Sequence, residues 1–383
     1  MRNLDDSGLD RRRFLRIAAA GLAAGTLGGA GGCAARGGSG AIAAESREVP
    51  QPGPHVFAAP DLSDGMVMAT RAGIRPYRSG RVRVECEPRG STLLLHNYGH
   101  GGAGVTLSFG CAAEILRLVR ERAGEARSIA VLGAGVIGLT TAYELLAAGF
   151  RVRVYTRETL DRTTSWLAGA QWAPSLVARG NPPGDPAFFG RVLRDSHARF
   201  NLLAARGDWG VVRRPNFVCG DGGGGLRHIP SELGGTPEIV ARLPIAGLAV
   251  PGEVVHTMLI EPPVFLPRLT SEVLALGGEI LPRSFESIDD VLALRERVVV
   301  NCLGLGARAL VDDPRLVGMR GQVVLLRPQN LPYMLSHGDG HMFPRHDAVV
   351  LGGTVERGVE DPTPNAAACG RILAAHRRFF AGA

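Results

Sequence analysis

The clearest pattern along the chain is an apolar run, a glycine-rich break, an apolar segment with helical spacing, and a second apolar run. The two runs, Ser128–Leu132 and Arg151–Tyr155, have the length and residue types of buried strands. Gly133, Gly135 and Gly138 fall at the break. The pattern predicts a strand, a tight turn, a helix and a second strand within roughly thirty residues, the length of one strand–helix–strand unit.

The N-terminal pattern predicts a targeting segment instead of a fold element. The arginines Arg11–Arg13 precede an apolar, helix-compatible run from Ile17 to about Gly32 that is shorter than the ~20 residues of a spanning helix. Residues 1–33 therefore resemble a twin-arginine export leader, with a basic N-terminal helix as the alternative. Cys33 follows Ala-Gly-Gly, which resembles a lipoprotein cleavage site. Residues 34–56 are rich in small residues and proline and predict a flexible linker.

The composition excludes catalytic mechanisms that depend on a lysine side chain. With 383 residues, 45% of them hydrophobic, the chain can bury a sizeable core and has the length of two or three domains. All 43 residues of the Lys+Arg total are arginine. The chain therefore cannot form a lysine Schiff base or end a phosphate-binding loop with a lysine. Arginine instead offers a planar fork of donors that suits carboxylate or phosphate.

The formal charge of +7 does not indicate a nucleic-acid-binding protein, because the arginines are dispersed among 36 acidic residues. The six cysteines form no Cys-x-x-Cys pair, which favours buried thiols over a zinc site or a disulfide framework. His337 and His341 are four residues apart, as are His96 and His100, but no metal-binding motif surrounds them. We expect no metal and no nucleic-acid partner.

Two segments match the Gly-x-Gly-x-x-Gly pattern of dinucleotide-binding turns, Gly133–Gly138 and Gly99–Gly104. With 53 glycines in the chain, about one match is expected by chance. Only the first follows a buried strand and leads to a second one, so it is predicted to bind a pyrophosphate at a helix N-terminus. Glu158, after the second strand, is the candidate ribose ligand, with a solvated charge as the alternative. The loop at 162–172 is rich in small and hydroxyl residues, which favours a flavin over a nicotinamide.

Several segments together resemble the D-amino-acid oxidase family of FAD enzymes over roughly residues 60–383. The two most specific are Gly73–Pro76, with Arg83–Glu85, and His96–Thr106. The others are Val131–Gly138, Thr163–Ser165 with Ala168–Ala170, Val300–Gly304 with Arg320–Gln322, Val350–Thr354, and Glu261–Pro267. The resemblance implies FAD as the cofactor.

The order of these segments departs from the family. There the Arg-Pro and His-Asn-Tyr-Gly-His-Gly-Gly segments close the chain, whereas here they precede the nucleotide fingerprint, as in a circular permutant. A helix at Cys111–Arg122 would lead by a short turn into the strand at Ser128. The new ends would fall after a helical segment, Ala366–Phe380, and before a strand near Met66.

The fold that the resemblance implies is of the α/β (α+β) class. A Rossmann-like, three-layer FAD-binding domain would be interleaved with an antiparallel-sheet substrate domain. The expected FAD-binding domain comprises residues 82–178 and 262–310. The expected substrate domain comprises residues 57–81, 179–261 and 311–383.

The resemblance also assigns the catalytic residues. Arg75 matches the family's carboxylate ligand, with a surface salt bridge as the alternative. His341 stands where the family has a tyrosine that binds the same carboxylate, with a merely polar role as the alternative. Gly102 would place its backbone carbonyl near the substrate amine, and Tyr333 is a weaker candidate for a lid. The predicted cofactor-binding residues are Gly101, Gly104, Val105, Thr106, Gly133, Gly135, Val136, Ile137, Gly138, Arg157, Glu158, Thr163, Thr164, Ser165, Gly169, Ala170, Phe285 and Gly304.

The implied activity is FAD-dependent oxidation of D-amino acids to 2-oxo acids, ammonia and hydrogen peroxide, with dioxygen as the second substrate. The alternatives are a related oxidase or dehydrogenase acting on glycine, sarcosine or an imino acid and reducing a quinone, and a flavin-binding protein with degenerate catalysis. The leader implies export to the periplasm or cell envelope, with a cytoplasmic location if it is not functional. A lipid anchor at Cys33 and a homodimer stay open.

Overall fold

The computed structural model describes residues 56–177, 186–338 and 340–382. The predicted leader at 1–33 lies outside the described residues, as does the predicted linker at 34–56 except for its last residue. The strands are β1 (Val67–Arg78), β2 (Arg83–Arg89), β3 (Thr92–Tyr98), β4 (Ser128–Leu132), β5 (Arg151–Thr156), β6 (Val211–Cys219), β7 (Glu238–Val240), β8 (Gly252–Ile260), β9 (Glu279–Pro282), β10 (Val298–Asn301), β11 (Leu316–Leu326), β12 (Met334–His337), β13 (Gly340–Pro344), β14 (Val349–Gly352) and β15 (Glu356–Arg357). The helices are α1 (Gly104–Arg122), α2 (Val136–Ala147), α3 (Pro186–Arg206), α4 (Pro262–Ala275), α5 (Ile288–Leu292), α6 (Ala307–Leu310) and α7 (Ala366–Phe380).

A six-stranded sheet with the order β2-β3-β10-β4-β5-β9 forms one half of the fold. Its strands are parallel except β2, which pairs antiparallel with β3. Helices α1, α2 and α4 cover one face through a core that includes Ile129, Val131 and Val300. The opposite face packs Ala130 and Leu132 against Val291 and Leu310, which come from α5 and α6. The result is a three-layer unit in which strand residues point alternately to the two cores.

A nine-stranded sheet with the order β1-β11-β14-β13-β12-β6-β8-β7 forms the other half, with β15 pairing to β11. All of its neighbouring pairs are antiparallel except β6 and β12. Helix α7 packs against one face, where Ile372 joins Val324 and Leu351. Strand β1 is at the edge, which is why it tolerates Pro76, a residue without an N–H to donate.

The longest apolar helix, α1, belongs to the core. A window within Gly101–Arg122 has the length and hydropathy of a membrane span, but most of it is buried inside the protein. Its residues Leu107, Phe109 and Ile115 are buried in the core shared with α2 and α3. The second glycine segment, Gly99–Gly104, leads directly into this helix.

The predicted α/β class with two interleaved sheets is confirmed. The strand–turn–helix–strand pattern appears as β4, α2 and β5, and the predicted C-terminal helix is α7. The strands of the smaller sheet all lie within 82–178 and 262–310, and those of the larger sheet lie within 57–81, 179–261 and 311–383. The exact division into two domains remains a prediction.

Candidate active site

A cavity of about 1260 Å³ lies between the two sheets. The glycine turn after β4 and the loops after β5 and β9 line one end, and strands β1, β11 and β13 line the other. All of the predicted site residues line this cavity except Gly138. The site is therefore assembled from segments that are more than two hundred residues apart in the chain.

The turn between β4 and α2 is closed by contacts that leave no room for side chains. Gly133 has a φ of +102°, and a Cβ there would lie 2.6 Å from the carbonyl oxygen of Cys302. A Cβ on Gly138 would lie 1.8 Å from the carbonyl oxygen of Gly133. Gly138 was predicted to bind the cofactor, but it does not line the cavity. Its lack of a side chain instead allows the helix to pack against the turn.

The N-terminus of α2 faces the cavity and fits a diphosphate. Gly135, Val136 and Ile137 line the cavity there, and unpaired amides at the start of a helix bind anions. Ser165, from the loop after β5, accepts a hydrogen bond from the Val136 amide at 3.0 Å. A Cβ on Gly135 would lie 3.2 Å from the Ser165 hydroxyl oxygen, so a side chain would crowd this position.

The neighbouring end of the cavity carries a charged rim. The Glu158 carboxylate is 3.0 Å from the Arg157 guanidinium and 3.8 Å from that of Arg162. The Arg283 guanidinium lies 5.0 Å from the centre of the Phe285 ring. All five residues line the cavity, and the Glu158 carboxylate can accept a hydrogen bond from a ribose hydroxyl.

The second glycine segment lines the middle of the cavity. Gly101, Gly102 and Gly104 lead into the first turn of α1, and the adjoining His100 and Asn97 also line the cavity. His100 Nε2 and Asn97 Oδ1 are buried and have no hydrogen-bond partner among the described residues. Burial lowers the pKa of His100 to about 3, so its imidazole is neutral near pH 7. These orphaned polar atoms fit a large polar cofactor such as FAD.

Arg75 provides the positive charge at the opposite end. Its guanidinium lies over Gly321 of β11, where a Cβ would be 2.2 Å from Nη2. Nη1 donates to the carbonyl oxygen of Thr354 at 3.1 Å, and no carboxylate among the described residues pairs with the guanidinium. Burial lowers the pKa of Arg75, yet an arginine keeps its charge at any ordinary pH. A largely buried cation without a counterion suits an anionic ligand.

His341, on β13, is close enough to Arg75 of β1 for the two side chains to interact electrostatically. Its ring stacks on Phe343 at 4.5 Å and covers Gly352, where a Cβ would lie 2.1 Å from Nε2. Burial, with a smaller contribution from the charge of Arg75, lowers the pKa of His341 to about 3. A neutral imidazole can donate one hydrogen bond to a carboxylate without adding charge. The His341 backbone carbonyl accepts from the His376 ring at 3.1 Å, which helps to fix this strand.

The weaker lid assignment of Tyr333 is wrong. Tyr333 is fully buried, its hydroxyl donates to the Ala58 carbonyl oxygen at 2.8 Å, and it belongs to the core on the α7 side of the larger sheet. It does not line the cavity. A single apolar–polar pattern cannot tell which face of a short segment meets a cavity.

Sequence reasoning missed two residues that line the substrate end. Gln171 donates to the Asn216 side-chain oxygen at 2.8 Å, and no sequence signal marked it. Arg71 precedes Arg75 by four residues on β1, so period-two alternation could have placed both on one face. Within the described residues there is no group of three or more His, Cys, Asp or Glu side chains that could hold a metal.

Comparison with known proteins identifies the family. The sequence profile of the DAO family, described as FAD dependent oxidoreductase, matches residues 128–383. A D-amino-acid oxidase from Streptomyces coelicolor is 36% identical over 280 residues, which is 69% of this chain and 81% of that protein. The human D-aspartate oxidase is 29% identical over 258 residues, 64% of this chain and 73% of that protein.

Among solved structures, a glycine oxidase from Bacillus cereus superposes with a TM-score of 0.50 at 17% identity. The superposition covers 65% of this chain and 77% of that one, and at this identity it shows the fold alone. FAD as the cofactor and an oxidoreductase activity are both confirmed by the family match. The chain belongs to the DAO family of FAD-dependent oxidoreductases.

Proposed function

We propose that this protein oxidises D-amino acids to 2-oxo acids and ammonia, with hydrogen peroxide as the second product. The observation that carries the proposal is that the Arg75 guanidinium faces the cavity and has no acidic partner within the part of the chain that the structure describes. An α-carboxylate would supply the missing charge through two parallel N–H···O hydrogen bonds. The similarity to curated D-amino-acid oxidases supports D-amino acids as the substrates.

The residues of the chain would act mainly by binding and orienting the substrate. Arg75 and the neutral His341 hold the carboxylate, and the Gly102 carbonyl accepts a hydrogen bond from the amine. When bound, FAD supplies a hydride acceptor that dioxygen reoxidises with formation of hydrogen peroxide. The hydrogen on Cα of the neutral amine form would leave with its electron pair as a hydride while the amine lone pair forms the C=N bond, and water would hydrolyse the resulting imine to the 2-oxo acid and ammonia. No side-chain base is required for these steps.

Anaerobic mixing of the purified holoenzyme with D-alanine or D-valine tests the activity. We expect the visible flavin absorbance to be lost with the D-isomers and retained with the L-isomers and glycine. Loss with L-isomers or glycine alone would replace the proposal with another amine oxidase of this fold. Absorbance that persists with every amino acid would indicate a flavin-binding protein without this activity.

We further propose that the chain is a circular permutant of the family. The family profile begins at residue 128, yet residues 67–122 supply β1, β2, β3 and α1, which complete both sheets. The ends of the described chain also meet. The Arg377 guanidinium lies 2.6 Å from the Asp64 carboxylate and donates to the Leu62 carbonyl oxygen at 2.8 Å. Neighbouring ends are what a permutation requires.

A reconnected chain tests the permutation. It would begin at residue 127 and join Ala381 to Val56 by a glycine–serine linker, which keeps the bridge of Phe57 to Ile245 and the hydrogen bond from Tyr333 to Ala58. We expect this variant to bind FAD and to keep its activity, because every contact of both sheets would be preserved. A reconnected chain that is soluble but colourless would contradict the proposal.

Export through a twin-arginine route completes the proposal. This route carries folded proteins, so a bound FAD would cross the membrane with the chain. Replacement of Arg11 and Arg12 by lysine should keep the protein in the cytoplasm. Unchanged fractionation of that variant would contradict the route, and mass spectrometry of the exported protein would show whether Cys33 is lipidated.

A further inference from the structure

The charges that line the cavity are distributed unevenly. Its lining carboxylates within the described part of the chain are Glu158 and Glu286, and both follow strands of the smaller sheet at the dinucleotide end. Glu158 already pairs with two arginines there. At the opposite end, Arg71 and Arg75 line the cavity, and neither forms an ion pair with any described residue. Among the described residues, the substrate end therefore carries two positive charges and no negative one, because the adjacent His341 is neutral.

The two arginines are placed on one face of the same strand. Arg71, Gly73 and Arg75 alternate with residues that point the other way. Arg71 is exposed at the mouth, and among the described residues its side chain forms one hydrogen bond, from Nη1 to the neighbouring Thr70 carbonyl oxygen at 2.9 Å. A side chain held only by that contact is free to turn toward a ligand.

The spacing of Arg71 and Arg75 along β1 suits a dicarboxylic acid. The Arg75 guanidinium lies over Gly321, which is paired with Gly73. It has thus already reached the level of residue 73, two residues from Arg71, or roughly 7 Å along the strand. A five-carbon dicarboxylic acid with a hydrogen bond at each end is longer than this, and the Arg71 side chain, which reaches back to the Thr70 carbonyl oxygen, supplies the remaining length.

The walls of this space are apolar. Val323 lies opposite Arg71 on the neighbouring strand, and Leu167 comes within 3.5 Å of the position that a Cβ on Gly73 would occupy. Both line the cavity. Methylene groups between two carboxylates would pack against these side chains, whereas a cationic side chain would be repelled by Arg71.

We propose that the preferred substrates are acidic D-amino acids of the D-glutamate type, with the side-chain carboxylate bound by Arg71 and the α-carboxylate by Arg75. This inference rests on the proposed oxidation of D-amino acids. Arg71 would be a specificity-determining residue, because it contacts the part of the substrate that does not react.

The test compares isosteric substrates that differ only in charge. We would measure kcat/KM for D-glutamate and D-glutamine in the wild type, in Arg71→Gln and in Arg327→Gln. Arg327 is a matched control, because it is also exposed and held by a backbone carbonyl but does not line the cavity. We expect the ratio of D-glutamate to D-glutamine to fall about tenfold to a hundredfold in Arg71→Gln, as for a lost charged hydrogen bond, and to be unchanged in Arg327→Gln.

A binding measurement separates this inference from the proposed reaction. Glutarate and its half-amide, glutaramate, cannot be oxidised at an amine, and their affinities can be read from the shift they cause in the flavin spectrum. Tighter binding of glutarate that depends on Arg71 supports the dicarboxylate site, even if no D-amino acid is oxidised. Equal affinities for the two compounds, or a substrate ratio that Arg71→Gln leaves unchanged, would overturn it.

Discussion

Arg75 and Arg78 are three residues apart on β1, on opposite faces of the strand. They differ in whether a carboxylate neutralises the guanidinium charge. Arg78 is 2% exposed, and its Nε lies 2.6 Å from a carboxylate oxygen of Asp313, which also accepts from the Tyr98 hydroxyl at 2.8 Å. Although burial alone would raise it, the hydrogen bonds from Arg78 and Tyr98 hold the pKa of Asp313 below its ordinary value. Of the described residues, only Thr354 accepts a hydrogen bond from the Arg75 guanidinium, through its carbonyl oxygen.

The difference separates a structural charge from a functional one. A buried pair such as Arg78 and Asp313 is costly to break, because each removal leaves the other charge uncompensated. Arg75 is left uncompensated in the folded protein itself, so its burial is offset only when a ligand carboxylate arrives. Replacing Arg75 should therefore affect binding and catalysis, and disrupting the Arg78 pair should affect stability.

The largest expected effect is that of Arg75→Ala on catalysis. We expect kcat/KM for a D-amino acid to fall about a thousandfold, or roughly 3–5 kcal/mol, while the FAD content and the free energy of unfolding stay within about 1 kcal/mol of the wild type. Arg75→Lys should recover only part of the loss, because an ammonium group cannot form two parallel hydrogen bonds. Steady-state kinetics with a peroxide assay would measure both. Near-normal kinetics in Arg75→Ala would mean that another group holds the carboxylate.

The complementary variant, Asp313→Asn, should act on stability. It keeps the shape of the side chain but leaves the Arg78 charge buried without its partner, which should lower the free energy of unfolding by about 3 kcal/mol. Urea denaturation followed by far-UV circular dichroism would measure the loss. Combining it with Arg78→Met removes both charges and should restore part of the stability. If Asp313→Asn were as stable as the wild type, the contrast between the two arginines would not hold.

The sequence predicts the parts of this contrast that depend on residues close together in the chain, but not the contacts between residues far apart in the chain. The unit β4–α2–β5 follows from local periodicity and the glycine spacing. Arg75 was identified by resemblance, since no local signal distinguishes it from Arg78. The pairing of Arg78 with Asp313 joins residues 235 positions apart, and the register of β1 on β11 joins equally distant segments. Such pairings depend on tertiary packing, which a single sequence does not encode locally. The same reason explains the wrong assignment of Tyr333.

Burial lowers the pKa of Arg75 and of four histidines, but only the histidines become neutral near pH 7. Burial lowers the pKa of His96 and His337 to about 4 and of His100 and His341 to about 3. In the unfolded chain these groups take up protons near pH 6.5. Their contribution to stability is therefore complete above pH 6.5 and is lost as the pH falls toward 4, by up to about 1.4 kcal/mol per pH unit for each histidine.

Urea denaturation at pH 7, 6 and 5 would measure this slope. His100→Gln should reduce it by the share of one histidine. A free energy of unfolding that does not change between pH 7 and 5 would contradict the neutral buried state of these side chains.

The smallest expected effect is that of His341→Tyr. Because His341 is neutral, a tyrosine hydroxyl can replace its hydrogen bond, and kcat/KM for neutral D-amino acids should be unchanged or higher, by less than about tenfold. His341→Phe removes the donor and should lower kcat/KM by about two- to tenfold. A loss in His341→Tyr as large as that in Arg75→Ala would show that His341 carries positive charge in the complex.

The most direct measurement of the role of Arg75 is the affinity of the holoenzyme for propionate, a carboxylate that has no amine to oxidise. Titration followed by the flavin spectrum would give Kd for the wild type, for Arg75→Ala and for the Arg78→Met/Asp313→Asn variant. We expect Arg75→Ala to weaken binding at least about a hundredfold and the Arg78→Met/Asp313→Asn variant to bind as the wild type does. Equal Kd values for the wild type and Arg75→Ala would contradict the assignment of Arg75 as the carboxylate ligand.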